Sequence, residues 1–286
     1  MSIGYWDQVQ KAGFEVPSDR PLDDLTAELT TMLGSTDAAV RDGTAFPALA
    51  TWIERGVYDD LLAGLGDGMV AGLAVGLGET GTDTVFRRSF SSLILATCME
   101  RDNEQHLLPG AKIMEWGDHA ATWFLTERDT RGFVPGKGWA HTIAHGADTI
   151  GALAGSPHLA GPEHAVLLDV LAERVLQQPA DEPLVCGEPD RIAAAVMQVL
   201  RRNTLGLDVL EPWVHRLGAA GNPYAGSGLA DDDPYAATAA PQALLRSLFL
   251  QLSLAADPPA VRPDLLLVVI DALRMTNAPY LRVGNR

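Results

Sequence analysis

Residues 136–154 read Gly-Lys-Gly-Trp-Ala-His-Thr-Ile-Ala-His-Gly-Ala-Asp-Thr-Ile-Gly-Ala-Leu-Ala. The stretch is rich in Ala, Ile and Leu and predicts a helix over 138–154. On such a helix His141, His145 and Asp148 stand at i, i+4 and i+7, so two imidazoles and a carboxylate share one face. Because an unpartnered buried polar group is costly, these three groups need partners or a function. The stretch therefore predicts a helix and a candidate site together.

The same helical periodicity runs through most of the chain, and strand-like alternation is nearly absent. Aspartates at helix starts, prolines in first turns and glycines after helix ends support the boundaries. The apolar run 265–270 is the one strand-like segment, and we predict it to be helical because it lies within a helix-length segment. The predicted helices span 22–33, 37–55, 58–77, 83–101, 111–128, 138–154, 162–177, 190–202, 207–217, 241–255 and 263–275.

Helices of this length joined by short loops predict an all-α fold, a HEAT/armadillo-like α-solenoid of stacked antiparallel helix pairs. We expect a single domain over 1–286. The connection at about 219–240 is long and rich in Gly, Pro, Asp and Tyr. Loops of this length are either functional lids or mobile linkers, and we favour a linker.

Composition restricts the function. The chain has 286 residues, of which 47% are hydrophobic, so it can bury a sizeable core. Its formal net charge is -16. It therefore lacks the clustered cations that bind nucleic acid or anionic membranes. Cys98 and Cys186 lie in apolar surroundings and form no disulfide or metal motif. The N-terminal sequence shows no signal peptide. We therefore expect a cytoplasmic protein with neither a nucleic-acid partner nor a membrane partner.

The segment Arg131-Gly-Phe-Val-Pro-Gly-Lys-Gly-Trp-Ala-His141 and its continuation to Asp148 resemble the DUF2785 proteins, a bacterial family of unknown function. The family pattern there reads R-G-[FY]-V-x-G-K-G-W-A-H-x-x-A-H-x-A-D, and each fixed position is met. Weaker likenesses lie at 33–35, 40–43 and 86–91. The resemblance implies an all-helical, HEAT-like fold and brings no settled activity. The chain differs from the family pattern in its glycines at 64, 66, 68, 72 and 76.

Three interpretations of the polar triplet stay open. His141 and His145 could hold a metal ion with Glu115 and His119, which have the same i,i+4 spacing on the preceding helix. Without a metal, Asp148 could orient His145, leaving either histidine as a general base. In that case Lys137 would serve as a clamp for an anionic group. In the third interpretation the histidines only fasten the helix to its neighbours. We expect no cofactor, with a divalent metal as the alternative.

Aromatic residues near the triplet supply candidate ligand contacts. We predict that Trp139 contacts a ligand. The remaining candidate ligand-binding residues are Trp116, Trp123, His119, Glu115 and Arg88, although aromatics at helical spacing are more often core. The glycines at 64, 68, 72 and 76 either allow close helix packing or clear a groove floor, and we favour packing.

The first function hypothesis is a binding protein for a small, largely apolar molecule or a peptide, held in a concave pocket around Lys137, Trp139, His141, His145 and Asp148. The second is an enzyme using the same pocket, either a metal-dependent hydrolase or a metal-free cyclase or isomerase acting on an apolar metabolite. The third is a protein-interaction scaffold, a common use of solenoids. The sequence leaves the oligomeric state open.

Overall fold

The computed structural model describes residues 3–224 and 233–281. Its contacts divide the chain into two compact units, Met1–Ser156 and Pro157–Arg286. Each unit is helical, and helices that are close in sequence pack against one another. The protein is therefore all-α and solenoid-like, as predicted. The single domain predicted over 1–286 stays a prediction.

The first unit contains eight α-helices in its described part and a short antiparallel hairpin. A π-helical turn, Arg41–Ala45, and a 3₁₀ turn, Asp59–Leu61, precede α4 and α5. The elements are α1 Ile3–Lys11, α2 Leu22–Met32, α3 Ala38–Val40, α4 Phe46–Glu54, α5 Leu62–Leu73, α6 Thr84–Gln105, α7 Gly110–Thr126, β1 Phe133–Val134, β2 Gly138–Trp139 and α8 Thr142–Ala154.

The second unit contains six α-helices in its described part. Trp213 lies in its core, and its indole N–H donates to the carbonyl of Leu168 at 2.9 Å. Consecutive helices pack together, and so do helices that have one other helix between them in the chain. The elements are α9 Gly161–Leu176, α10 Glu188–Arg201, α11 Leu207–Ala220, α12 Pro234–Leu254, α13 Arg262–Thr276 and α14 Ala278–Leu281.

Most predicted helices are present, and the apolar run 265–270 is helical within α13. Several boundaries were wrong, and three of them bear on the site and the long loop. The helix predicted over 138–154 begins only at Thr142, because the residues before it form β2. The helix predicted over 58–77 ends at Leu73. The loop predicted at 219–240 is shortened by the ends of α11 and α12, and residues 225–232 of it lie outside the described part.

Helix α8 is at the centre of the packing that supports the candidate site. It runs alongside α6, which it contacts from Ser89 to Asn103. Helix α7 packs antiparallel to α8, since Gly117 lies against Leu153 and Gly146 lies against Phe124. A Cβ on Gly146 would come within 2.3 Å of the Phe124 ring, so only glycine permits this approach. This close packing fixes the start of α8 beside the hairpin.

Glycine packing in α5 is confirmed, although not at every predicted position. A Cβ on Gly72 would lie 2.1 Å from Ser91 Oγ, and one on Gly66 would lie 2.0 Å from the Trp116 ring. Gly64 and Gly68 instead face open space. Gly76 follows the helix with φ of +64°, a backbone conformation that favours glycine. Close approach therefore accounts for Gly66 and Gly72, and the glycine spacing does not mark one packing face.

Among residues 3–224 and 233–281, no helix has both the length and the apolar character that crossing a bilayer requires.

Candidate functional site: an aromatic surface beside the hairpin

The site begins at the hairpin that joins α7 to α8. Val134 pairs with Gly138 and Phe133 with Trp139. The turn is closed by Lys137, whose backbone N–H donates to the Val134 carbonyl at 3.0 Å. Because Phe133 and Trp139 are directly opposite each other, their rings meet edge to face with centroids 5.0 Å apart. Both side chains stay substantially exposed, at 52% and 41%.

His141 connects the hairpin to α8. It occupies the N-cap position with φ of +52°, so it lies outside the helix and its carbonyl accepts from the His145 N–H at 2.9 Å. The prediction that His141, His145 and Asp148 share one helix was wrong for His141. A left-handed backbone at a non-glycine residue costs about 1–3 kcal/mol. This conformation places the imidazole against Trp139, with ring centroids 4.2 Å apart and planes 23° apart.

His145 is buried beneath His141, and their ring centroids are 5.9 Å apart. The hydroxyl of Ser89 donates to the Ala140 carbonyl and lies 2.8 Å from His145 Nδ1. Because that hydroxyl proton is already used, the contact assigns the Nδ1 proton to His145 as donor. The Phe90 ring packs edge to face against the His145 ring, with centroids 5.1 Å apart.

These rings form a continuous series from solvent to core, which we call the aromatic ladder: Phe133, Trp139, His141, His145 and Phe90. Successive centroids are separated by 5.0, 4.2, 5.9 and 5.1 Å. Its outer rings are exposed and its inner rings are buried. The ladder therefore offers an apolar face with imidazole nitrogens at its base, suited to a planar or apolar group.

Arg41 fastens the hairpin to the preceding helices. Its fully buried guanidinium lies 4.2 Å over the Phe86 ring and donates to the carbonyls of Ser35 at 2.7 Å and Lys137 at 2.9 Å. Burial lowers the pKa of Arg41, which stays charged at any physiological pH. The π-helical turn brings Asp42 into an ion pair with Arg41 at 2.7 Å.

Asp42 adds a carboxylate near the imidazoles. Burial raises its pKa, against the opposing effects of Arg41 and, more weakly, of His141. His141 contributes a weak electrostatic interaction to this carboxylate. An acid and an imidazole at one surface can hold or move a proton.

Lys137, the predicted clamp for an anionic group, lies at the hairpin turn and already has an anionic partner. Its Nζ is 2.6 Å from Asp83 Oδ1, and both side chains are partly exposed. Asp83 occupies the N-cap position before α6, although its side chain bonds Lys137 instead of the helix backbone. The ion pair closes the hairpin against α6.

Arg88 is part of the framework under the hairpin, and its predicted ligand contact is not supported by its position. It is fully buried and binds Glu127 with two hydrogen bonds of 2.5 and 2.9 Å. It also donates to the carbonyls of Val75 and Gly76, both at 2.9 Å. A charge enclosed in this way supports structure and is inaccessible to a ligand.

Trp116 and Trp123 are core residues, contrary to their predicted ligand contacts. Trp116 is fully buried with its indole N–H donated to Asp67 at 2.8 Å, and Trp123 is 2% exposed with its N–H donated to Glu127 at 3.0 Å. The alternative that aromatics at helical spacing are core is therefore correct for both. Trp139 alone of the predicted tryptophans lies at the surface.

The predicted metal ligands are not brought together. Glu115 is on the exposed face of α7, where it pairs with Lys112 at 2.8 Å. His119 is also exposed, near Asp67, whose pKa is lowered first by the Trp116 hydrogen bond and more weakly by Lys112 and His119. In the described part of the chain, no three His, Cys, Asp or Glu side chains are placed to share a metal ion. Only His141 and His145 of the four are adjacent.

Asp148 is half-buried two helical turns after His141. Its negative charge contributes to raising the pKa of Glu100, for which burial is the largest cause. The Nδ1 atom of His145 is bonded to Ser89, so a serine contributes to orienting this ring. The orienting role of Asp148 on His145 stays a prediction.

Five residues of the site were not named as site residues from the sequence: Arg41, Asp42, Ser89, Phe90 and Phe133. The adjacent charges of Arg41 and Asp42 in an apolar helical segment were a usable signal, since buried charges require partners. Nothing local indicated that Ser89 faces His145, because their contact joins residues 56 positions apart.

The fold and the site define an all-α, solenoid-like protein with a hairpin that presents exposed aromatic rings. The chain belongs to the DUF2785 family, described as proteins of unknown function, whose model matches residues 73–250. The matched range includes the hairpin, both histidines and the Arg88 framework. Comparisons with curated proteins and with solved structures gave no match.

Proposed function

We propose that this chain is a cytoplasmic binding protein that holds a small, largely apolar molecule or a peptide on the aromatic ladder. The observation that carries the proposal is the exposed pair of Trp139 and Phe133, with Trp139 stacked on the partly buried ring of His141. Large aromatic rings exposed side by side forgo burial energy, and such surfaces commonly mark binding sites. Tryptophan also offers a large contact area with few rotatable bonds.

The support beneath these rings favours the same proposal. His141 has a left-handed backbone, a costly conformation that concentrates at functional sites. Arg41, fully buried, holds the hairpin turn through the Lys137 carbonyl. Both features fix the aromatic rings before any ligand arrives, which reduces the entropy cost of binding.

A metal-free enzyme is the second candidate, and one observation favours it. The partly buried His141 interacts electrostatically with the Asp42 carboxylate, and an imidazole and a carboxylate together can support proton transfer on a bound apolar substrate. This candidate requires the same bound ligand, so binding is the property to test first.

Ligand-observed NMR with indole and N-acetyl-tryptophanamide tests the proposal. The first probe represents a small aromatic molecule and the second an aromatic side chain of a peptide. We expect at least one to bind, and Trp139→Ala to weaken its binding roughly tenfold, since one aromatic pair contributes about 0.5–1.5 kcal/mol. Trp139 is 41% exposed, so the variant should keep its fold.

Leu250→Ala is the matched control, because it also removes an exposed apolar side chain, 52% exposed, from a helix of the second unit. It should leave probe binding unchanged. Binding of neither probe would contradict the proposal, and so would equal weakening by Trp139→Ala and Leu250→Ala.

A further inference from the structure

The second unit has a cavity of its own, with a volume of about 410 Å³. Its walls come from residues 183–185, from α12 and from the C-terminal end of α13. Ligand pockets commonly measure about 300–1,000 Å³, so the space suits a small molecule of one or two rings. No part of the aromatic ladder contributes to it, and the inference is independent of the proposed function.

Tyrosine rings line one side of the cavity. Tyr224 and Tyr235 meet edge to face with centroids 6.4 Å apart, and their hydroxyls are 3.0 Å apart. Tyr280 is a further lining residue, 76% exposed. The hydrogen bond to Tyr235 raises the pKa of Tyr224 to about 12, so the Tyr224 phenol stays neutral. The wall therefore offers flat apolar surface with no negative charge.

The lining of the cavity also includes polar donors. Arg246 Nη2 donates to Gln242 Oε1 at 2.5 Å and to Asn277 Oδ1 at 2.9 Å. Among the described residues, Arg246 has no carboxylate partner, and its Nε and Nη1 groups make no protein hydrogen bond. Gln242 is only 7% exposed, and its amide nitrogen likewise has no partner in the described part. The guanidinium is thus fixed at one nitrogen and available at the others.

We infer that this cavity binds a small aromatic carboxylate. The guanidinium has the planar fork that matches a carboxylate, and the Gln242 amide adds a neutral donor beside it. Arg246 is the only charged residue among the described lining residues, so a single anionic group is matched. The tyrosine wall receives the aromatic body, and edge or offset contacts between rings stabilise it.

Isothermal titration calorimetry of the full chain with 2-naphthoate and its neutral analogue 2-naphthamide tests the inference. We expect 2-naphthoate to bind more tightly than 2-naphthamide. Arg246→Leu should weaken naphthoate binding roughly tenfold or more, because hydrogen bonds to charged groups contribute about 1.5–3 kcal/mol. The same variant should change naphthamide binding little.

Arg274→Leu is the matched control, since Arg274 is an exposed arginine on α13 that pairs with Asp271 and does not line the cavity. It should leave naphthoate binding unchanged. The inference is overturned if native protein shows no preference for naphthoate, or if the two arginine variants behave alike.

Trp139→Ala separates this cavity from the aromatic ladder. If that variant abolishes naphthoate binding while Arg246→Leu does not, the carboxylate binds at the hairpin and the inference fails. If only Arg246→Leu weakens naphthoate binding, the cavity is the site whatever the result with indole.

Discussion

Replacing Arg88 by methionine should destabilise the first unit more than replacing any exposed charged residue. The substitution keeps a long side chain while removing two hydrogen bonds to Glu127 and those to the carbonyls of Val75 and Gly76. Glu127, whose side chain is 1% exposed, would keep the N–H groups of Trp123 and Asp129 as partners but lose the cation that balances its charge. Leaving one charge of a buried pair uncompensated costs about 3–5 kcal/mol.

Urea unfolding followed by tryptophan fluorescence measures this loss. Five of the six tryptophans precede Pro157, so the signal reports mainly on the first unit. A domain of this size loses about 2–4 °C of melting temperature per kcal/mol. Arg88→Met should therefore lower the melting temperature by roughly 6–20 °C in a parallel thermal scan.

Arg101→Met is the matched control. Arg101 also makes a two-bond pair, with Asp59 at 2.9 and 2.7 Å, but both side chains are partly exposed. Its loss should cost about 1 kcal/mol or less. Adding Glu127→Gln to Arg88→Met should cost less than the sum of the single changes, because the two groups act as a pair. Equal effects of Arg88→Met and Arg101→Met would refute the reasoning.

Two further predictions concern packing and pH. Gly72→Ala should destabilise the first unit by about 1–3 kcal/mol, because its Cβ would lie 2.1 Å from the buried Ser91 hydroxyl. Gly68 faces open space, so Gly68→Ala should instead stabilise α5 by about 0.5–1 kcal/mol. Similar urea midpoints for the two variants would contradict this prediction. Glu100 is an exposed residue, but partial desolvation, and then the charges of Asp148 and two nearby glutamates, raise its pKa in the folded state. Its ionised form is therefore less favourable in the folded protein than in the unfolded chain, and this lowers stability as pH rises through that pKa. Glu100→Gln should then be more stable than native protein at pH 7, with the difference disappearing below about pH 4; a constant difference across that range would argue against the shift.

How much the sequence predicted depended on the range of the interaction involved. Helices such as α2 and α13 were predicted because helical periodicity and capping residues are local. The hairpin was missed, since β2 is only two residues long and its pairing with β1 depends on the turn between them. The start of α8 was wrong for the same reason: nothing in residues 138–141 alone indicates that His141 leaves the helical conformation.

The sequence by itself determined the all-α, solenoid-like fold, because helical periodicity is a local property of each segment. It also identified the segment that carries the candidate site, because polar residues are unusually dense there. The tertiary structure alone decided the role of each side chain. It buried Arg88, Trp116 and Trp123, exposed Trp139 and paired His145 with Ser89. Burial and partners depend on contacts between distant segments, and residue spacing within one segment contains no information about them.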